Sequence, residues 1–172
     1  LITKQGKSMN KYIVGILRGF FIMSLSVFTH LSYAESTAEM SVPEPIRLDQ
    51  NKIDGKGLTT LGAPWPKRTL VSGVESHRFD ALFAGQLVVS IYDADDGLLK
   101  IVDYPFDEFV HVLHGRAILT AEGAASQTFE AGDTFVVPKG FTGTWEMQDN
   151  FRELIVIEKA ANDAGLEILF GE

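Results

Sequence analysis

The segment from Tyr104 to Arg116 holds the residues best suited to chemistry, because it combines a carboxylate with a short apolar strand. Glu108 opens the apolar run, and Gly115 ends it in a predicted turn before a second apolar strand, Ala117–Thr120. A carboxylate at the start of a buried strand costs free energy unless a partner satisfies it. Glu108 is therefore the first candidate for a functional group.

The histidines are weaker candidates than Glu108. His111 follows Glu108 by three residues, which places the two side chains on opposite faces of a strand. His114 stands beside the turn glycine and is expected in solvent, and His77 is isolated in the sequence. The sequence pattern does not bring a serine, a histidine and an aspartate together as a nucleophilic triad requires.

Residues 1–34 have the composition of a secretory signal peptide. They contain basic residues but no Asp or Glu, followed by an apolar run from Gly19 to Thr29 and small residues at Ser32 and Ala34. This order is typical of a leader that is cleaved during export, here after Ala34. The apolar run is shorter than the ~18 residues that a spanning helix needs. The sequence therefore predicts a periplasmic protein without stable membrane insertion.

Cleavage would make the chain strongly acidic. Residues 1–34 hold four of the 15 basic residues and none of the 23 acidic ones, which leaves 11 against 23 and a formal net charge of −12. Such a chain repels phosphate backbones, so nucleic acid is not an expected partner. There is no cysteine, so an exported form depends on its hydrophobic core and not on disulfides.

The rest of the sequence predicts a flexible lead-in over residues 35–60 and a single all-β domain over residues 61–172. The lead-in is polar and has room for one short edge strand around Ile46–Leu48, and Trp65 is expected to anchor the following turn to the domain. Many short strands then alternate with turn signals, among them Asp95–Gly97, which predicts a hairpin. This spacing indicates a sandwich or barrel. The apolar tail, residues 162–172, could form a short helix or an added strand.

Two segments resemble the two sequence motifs of the cupin superfamily. Glu108 followed by six residues and Gly115 matches the end of the first motif, and Gly132, five residues, Pro138, any residue and Gly140 match the start of the second. Within the superfamily, the chain resembles the single-barrel branch named after ureidoglycine aminohydrolase. The resemblance covers roughly residues 87–158. It implies a double-stranded β-helix, the cupin jelly-roll barrel, with its site inside the barrel.

The resemblance ends at the metal ligands. Members of this branch that bind a metal use two histidines before the glutamate and one after the second glycine. The matching positions here hold Val102 and Tyr104, or Ile101 and Asp103, and then Gly143. One carboxylate without imidazoles is a poor site for a transition metal. We therefore expect no metal and no other cofactor, and the manganese-dependent deamination that the branch name implies is not carried over.

The inward positions of the family imply which side chains line the interior, because side chains alternate along a strand. By this alternation Trp145 points inward, and so do Lys100, Val102 and Tyr104 together with Glu108. The expected ligand-binding group is Glu108, Tyr104, Trp145 and Lys100. Alternatives stay open: Glu108 could be a structural carboxylate, Tyr104 and Trp145 could be core aromatics, and Lys100 could extend to solvent.

Three functions follow from this pattern. The first is an exported, metal-free barrel that binds a small polar metabolite around Glu108. The second is a metal-independent enzyme, an isomerase, lyase or hydrolase, in which Glu108 is the general acid or base and Tyr104 its hydrogen-bonding partner. The third is a structural module that pairs through its tail, since barrels of the superfamily it resembles often form homodimers. The sequence favours the binding barrel.

Overall fold

The computed structural model describes residues 43–61, 65–66 and 69–170. The predicted leader, its cleavage site and residues 35–42 of the lead-in lie outside the described residues, so the predicted divisions at residues 34 and 60 remain predictions. The described residues from Glu44 onward belong to one compact unit. Within the described ranges, no helix is both long enough and apolar enough to cross a membrane.

Eight strands and two helices make up the regular structure of the described residues. In chain order they are α1 (Gln50–Ile53), β1 (Leu70–Gly73), β2 (His77–Ala84), β3 (Leu87–Ala94), β4 (Gly97–Ile101), β5 (Glu108–Ala121), β6 (Gln127–Glu130), β7 (Thr134–Val137), β8 (Gly143–Glu158) and α2 (Lys159–Phe170). The predicted all-β domain is confirmed. The apolar tail forms a helix, which is one of its two predicted states.

The strands pair in a single antiparallel sheet with β8 at its centre. The first half of β8 pairs with β4 and its second half with β3, while β5 pairs with its other edge along most of its length. β1 and β2 extend the sheet beyond β4 and β3, and β6 and β7 both pair with β5. The two long strands, β5 and β8, thus provide the pairing partners for β3, β4, β6 and β7.

The Asp95–Gly97 segment does not form the predicted hairpin. β3 and β4 lie end to end along one edge of β8 and do not pair with each other. The side-chain Oδ1 of Asp96 accepts a hydrogen bond of 2.9 Å from the backbone N–H of Asn150. Asp149 and Asn150 both have positive φ, 63° and 56°, so β8 is distorted at this point. Pairing with β8 overrides the local turn preference of the Asp-Gly sequence.

Gly115 lies within a strand and does not end one. β5 continues to Ala121, with its register against β8 shifting between Val112 and Arg116. Gly115 has φ 66°, and a Cβ there would lie 2.4 Å from the carbonyl oxygen of Gln148. The predicted turn is replaced by a local irregularity, because β8 pairs with β5 on both sides of it.

The hydrophobic core lies on the inward face of these strands. It is built mainly of aliphatic and aromatic side chains from β3, β4, β5, β7 and β8, including Leu99, Val110, Val112, Leu119, Val137, Met147, Phe151, Ile155 and Ile157. Each such side chain contributes about 1.5–3 kcal/mol when it leaves water. The predicted inward orientation of Trp145 is confirmed, since its side chain is buried.

The described part of the lead-in is bonded to the sheet. The edge strand predicted around Ile46–Leu48 is absent, and the chain forms α1 instead, capped by Asp49, whose Oδ1 accepts the N–H of Asn51 at 2.9 Å. Asp80 of β2 accepts hydrogen bonds from the N–H and the hydroxyl of Thr59 at 2.7 and 2.9 Å. Residues 43–60 thus reach the sheet through these side-chain bonds and through backbone pairing with β2, where Phe79 N–H donates to the carbonyl oxygen of Thr59 at 2.9 Å and Thr60 bridges to Arg78, and not through a strand at Ile46–Leu48.

Candidate functional site

A hydrogen bond between Tyr104 and Glu108 forms the centre of the candidate site. The Tyr104 hydroxyl donates to Oε2 of Glu108. Both side chains are buried, with 7% and 2% of their surface exposed. Glu108 is the first residue of β5 and shares its inward face with Val110 and Val112. The predicted inward position of Glu108 and its contact with Tyr104 are observed, and their roles toward a ligand remain predictions.

Backbone hydrogen bonds hold Tyr104 in position. Its N–H donates to the carbonyl oxygen of Phe141 at 3.0 Å, and its carbonyl oxygen accepts the N–H of Gly140 at 2.7 Å. Gly140 has φ 87°, a conformation that favours glycine. The turn that follows β7 therefore fixes the tyrosine that binds Glu108. The two segments that resemble cupin motifs meet at this point.

Glu153 of β8 brings a second carboxyl group into the interior, and the sequence interpretation missed it. Its side chain is 4% exposed, and its Oε2 has no hydrogen-bond partner among the described residues. A signal was present, because the alternation that places Trp145 inward continues through Phe151 to Glu153. The signal was obscured by apolar residues such as Leu154 and Val156 on the other face of the strand.

The two carboxyl groups affect each other's ionisation. Burial raises the pKa of Glu108 to about 7, although the hydrogen bond from Tyr104 opposes this shift. Burial, and then the charge of Glu108, raise the pKa of Glu153 well above its usual range. Burial and the charge of Glu108 also raise the pKa of Tyr104. The two buried carboxyl groups therefore hold their protons to higher pH than exposed glutamates do.

Aromatic rings adjoin the Tyr104–Glu108 pair. The ring of Tyr104 lies 4.9 Å from that of Phe106 and 6.5 Å from that of Trp145, between ring centroids. Trp145 also lies 6.0 Å from Phe135. The indole is 5% exposed, and its Nε1 has no hydrogen-bond partner among the described residues. Leaving such a donor without a partner costs about 1–3 kcal/mol, so the interior holds polar atoms that its own residues do not satisfy.

Lys100 and Val102 do not face the interior. Their neighbours Leu99 and Ile101 are buried, whereas Lys100 is exposed and Val102 is 65% exposed. The predicted inward position of both residues is therefore wrong. β4 ends at Ile101, and Asp103, with φ 53°, redirects the chain before Tyr104. Alternation holds along a strand and does not carry across such a turn.

His111 and His114 lie outside the interior group. His111 is half-buried on the face of β5 opposite Glu108, and its Nδ1 lies 3.2 Å from the carbonyl oxygen of Asp133. His114 is exposed, and its Nδ1 lies 3.1 Å from the carbonyl oxygen of Asn150. Both placements agree with the sequence prediction.

His77 is buried in a separate aromatic group. Its ring lies 6.1 Å from that of Trp65 and 5.9 Å from that of Tyr92. The Nε1 of Trp65 donates a hydrogen bond of 2.6 Å to the Tyr92 hydroxyl. Trp65 thus contacts β2 and β3 through His77 and Tyr92, as expected of an anchor for the turn that contains it.

Comparison with family models identifies the domain. Residues 85–154 match the model described as the EutQ-like cupin domain. This part of the chain is therefore similar to that cupin domain. The predicted cupin jelly-roll architecture is supported by the match and by the antiparallel strands. The comparison with curated proteins found no match.

Solved structures similar to the cupin domain are distant in sequence. A protein assigned as the ethanolamine utilization protein EutQ, from Salmonella typhimurium LT2, is 22% identical over 51% of this chain and 75% of its own, with a TM-score of 0.45. A Pseudomonas syringae protein of unknown function is 23% identical over 58% of this chain and 43% of its own, with a TM-score of 0.49. A cupin superfamily protein from Desulfitobacterium hafniense is 18% identical over 51% and 81%, with a TM-score of 0.43. This chain thus spans less than half of the Pseudomonas protein.

The described residues do not fit the manganese ion that the sequence resemblance implies. Within the described part of the chain, no group of three or more His, Cys, Asp or Glu side chains could hold a metal. At Gly143, where the third imidazole is expected, a Cβ would lie 2.1 Å from the carbonyl oxygen of Thr120. The backbone there leaves no room for a side chain, and Val102 faces solvent.

Proposed function

We propose that this chain is an exported cupin barrel that binds a small polar ligand at Glu108 without a metal. The main support is the buried pair of Tyr104 and Glu108, which fixes on the inward face a carboxyl group that no basic side chain of the described residues pairs with. A largely apolar interior with a few convergent polar groups is the usual form of a ligand site. The unsatisfied Nε1 of Trp145 adds a donor beside this pair.

Two further parts of the proposal, export and a metal-free site, are each supported by their own observations. Export is inferred from the leader-like residues 1–34. The metal-free site is inferred from Gly143, where a side chain would strike the backbone, and from the exposed position of Val102. The likeness to the ureidoglycine aminohydrolase branch rests on three segments, Tyr104–Glu108, Gly132–Phe141 and Gly143–Glu146. Elemental analysis of the purified mature protein tests this part, and a stoichiometric metal would contradict it.

An acid–base enzyme is a second candidate, favoured by the two buried carboxyl groups. When neighbouring acids are held at different pKa values, one can donate a proton while the other accepts one. Glu153 would be the acid and Glu108 the base, with Tyr104 orienting Glu108. In this case a bound compound is turned over, and Glu108→Gln abolishes turnover while the variant still folds.

Thermal-shift titration of the mature protein against a panel of small polar metabolites tests the binding function. We expect at least one compound to raise the melting temperature, because ligand at 100 times its Kd stabilises the folded state by about 2.7 kcal/mol. The shift should disappear in Glu108→Gln and persist in Glu130→Gln, which changes an exposed carboxylate on β6. Equal shifts in both variants, or no hit for the wild type, would contradict the proposal. NMR spectra of each hit during incubation then separate binding from turnover.

A further inference from the structure

The carboxyl groups of the interior have no positively charged partner. Within the described residues, neither Glu108 nor Glu153 takes part in an ion pair, although both are almost fully buried. Asp93 provides the contrast, because this buried carboxylate, on the other face of β3 from Tyr92, is paired with Arg78 and Arg152. The fold thus places arginines beside the buried carboxylate of Asp93, and within the described residues it leaves Glu108 and Glu153 without a cationic partner.

Two further observations indicate that a ligand completes the interior. Oε2 of Glu153 and Nε1 of Trp145 belong to side chains that are more than nine-tenths buried, and neither atom has a hydrogen-bond partner among the described residues. Buried polar atoms are nearly always hydrogen-bonded in folded proteins, so each exception requires an explanation. Aromatic faces lie close by, since the ring of Tyr104 adjoins those of Phe106 and Trp145.

We propose that the ligand is a small organic ammonium ion whose N–H groups bridge Glu108 and Glu153. This inference rests on the proposed binding function and specifies its ligand class. An ammonium group has three donors, which suits two buried carboxyl groups that interact electrostatically, and its positive charge would be the cation that these carboxyl groups lack. The rings of Tyr104 and Trp145 offer faces that attract a cation. An oxygen elsewhere in the ligand would accept the N–H of Trp145.

The other charge classes fit the interior less well. A carboxylate or phosphate would meet two carboxyl groups, and Lys100, the cation expected inside from the sequence, lies on the outer face. A neutral alcohol could donate one hydrogen bond but would leave the charge of Glu108 uncompensated. The matched comparison is therefore between ligands that share a carbon chain and differ in their head group.

Binding of an ammonium ion should release protons near neutral pH. Four titratable groups interact in the interior: Glu108, Glu153, Tyr92 and Tyr104. Tyr92 also adjoins the ring of His77 and interacts with the charges of Asp93 and Arg78. Burial raises the pKa of each of the four interior groups, so the free site holds protons that a bound cation displaces from the carboxyl groups. The tyrosines stay protonated throughout, because their pKa values rise above the ordinary value of 10.

Isothermal titration calorimetry tests the ligand class with three series of C2–C6 compounds: alkylammonium ions, the matching alcohols and the matching carboxylates. We expect an ammonium ion to bind the wild type at least tenfold more tightly than its alcohol and its carboxylate. Glu153→Gln should weaken this binding at least tenfold. Glu146→Gln, on the outward face of β8, should leave it unchanged. Titrations of the wild type at pH 7 in two buffers with different ionisation enthalpies should show proton release. This measurement uses the wild type alone, so it does not depend on whether a variant folds.

The outcomes separate this inference from the proposed function. If alcohols or carboxylates bind with dependence on Glu108 and ammonium ions do not, the ligand class is wrong and the binding function stands. If neither these series nor the metabolite panel binds, both fail. Equal ammonium binding by wild type and a folded Glu153→Gln protein, or binding without proton release, overturns the bridging role of Glu153.

Discussion

At the scale of single residues, Glu153 is a carboxyl group that the fold tolerates at a cost. Its Oε2 lacks a hydrogen bond, and burial together with the charge of Glu108 raises its pKa well above the usual range. Replacing a buried, poorly satisfied acid by an apolar side chain of similar volume is often neutral or stabilising. A residue that costs stability and remains buried is expected to serve binding or catalysis.

We therefore expect Glu153→Met to stabilise the protein while removing ligand binding. The free energy of unfolding at pH 8 should rise by about 1–3 kcal/mol, the cost of an unsatisfied buried polar group. Urea denaturation measures this change, and Glu146→Met on the outer face serves as the control. A loss of stability in Glu153→Met alone would show that the carboxyl group is structural.

Glu108 should make stability fall as the pH rises. Its pKa is about 7 in the folded protein, above the ordinary value of 4.5, so the folded state binds more protons than the unfolded state between these values. The stabilisation is fully present below pH 4.5 and is lost as the pH rises through 7. The loss is on the order of 1–3 kcal/mol. Urea denaturation from pH 4.5 to 8 should show it for the wild type and for Glu130→Gln. The same slope in Glu108→Gln would contradict this assignment.

At the scale of elements, the site depends on a turn, a strand end and a helix. Gly165 of α2 packs against Phe106, since a Cβ at Gly165 would lie 2.2 Å from Cδ1 of that ring. Phe106 in turn adjoins Tyr104, which binds Glu108. The helix that follows β8 therefore supports the aromatic side of the site.

Gly165→Ala should change the stability in opposite directions, depending on whether helix propensity or the contact with Phe106 dominates. Helix propensity alone would make alanine more favourable than glycine by about 1 kcal/mol. The clash with the buried ring of Phe106 should reverse this and lower the melting temperature, as overpacking costs about 1–3 kcal/mol. Thermal unfolding measures the effect. The double variant Gly165→Ala, Phe106→Leu should recover part of the loss, and a more stable single variant would rule out the close contact.

The arrangement of the strands explains which side-chain positions could be predicted from the sequence and which could not. Glu108 and Trp145 were placed correctly, because a strand start and strand alternation describe them locally. Tyr104 was placed inward by the same alternation as Lys100 and Val102, and it is buried only because the chain changes direction at Asp103. Lys100 was misplaced because its inward assignment required alternation to continue through the turn at Asp103. Glu153 was missed because both faces of its strand are largely apolar. The Asp95–Gly97 hairpin failed because two strands that share β8 need not pair with each other.

At the scale of the whole molecule, net charge opposes self-association of the chain, whereas exposed apolar surface favours it. Cleavage at the predicted site would give a formal net charge of −12, which repels copies of the chain from one another, so the expected homodimer needs an uncharged contact surface. Phe109 and Val136 are exposed and lie opposite each other on β5 and β7, and Val156 of β8 is on the other side of Phe109. Three neighbouring strands thus present apolar side chains outward.

We expect the mature protein to be a homodimer and Phe109→Glu to shift it to a monomer. The substitution places a charge in the middle of this row without touching the core. Light scattering measures the mass, and Leu87→Glu, which changes another exposed apolar residue at the start of β3, is the matched control. A dimer that persists in Phe109→Glu would place the contact elsewhere, and a monomeric wild type would contradict the expected dimer.

The central position of β8 has a consequence for the time course of biosynthesis. Residues 143–158 follow β3, β4 and β5 in the chain, yet all three strands pair with them. A nascent chain can form the β2–β3 pair and the pairs of β5 with β6 and β7, but it cannot join them until β8 leaves the ribosome. Pairings over such long sequence separations form slowly. The growing polypeptide should therefore stay open, and accessible to chaperones, until translation has passed Glu158.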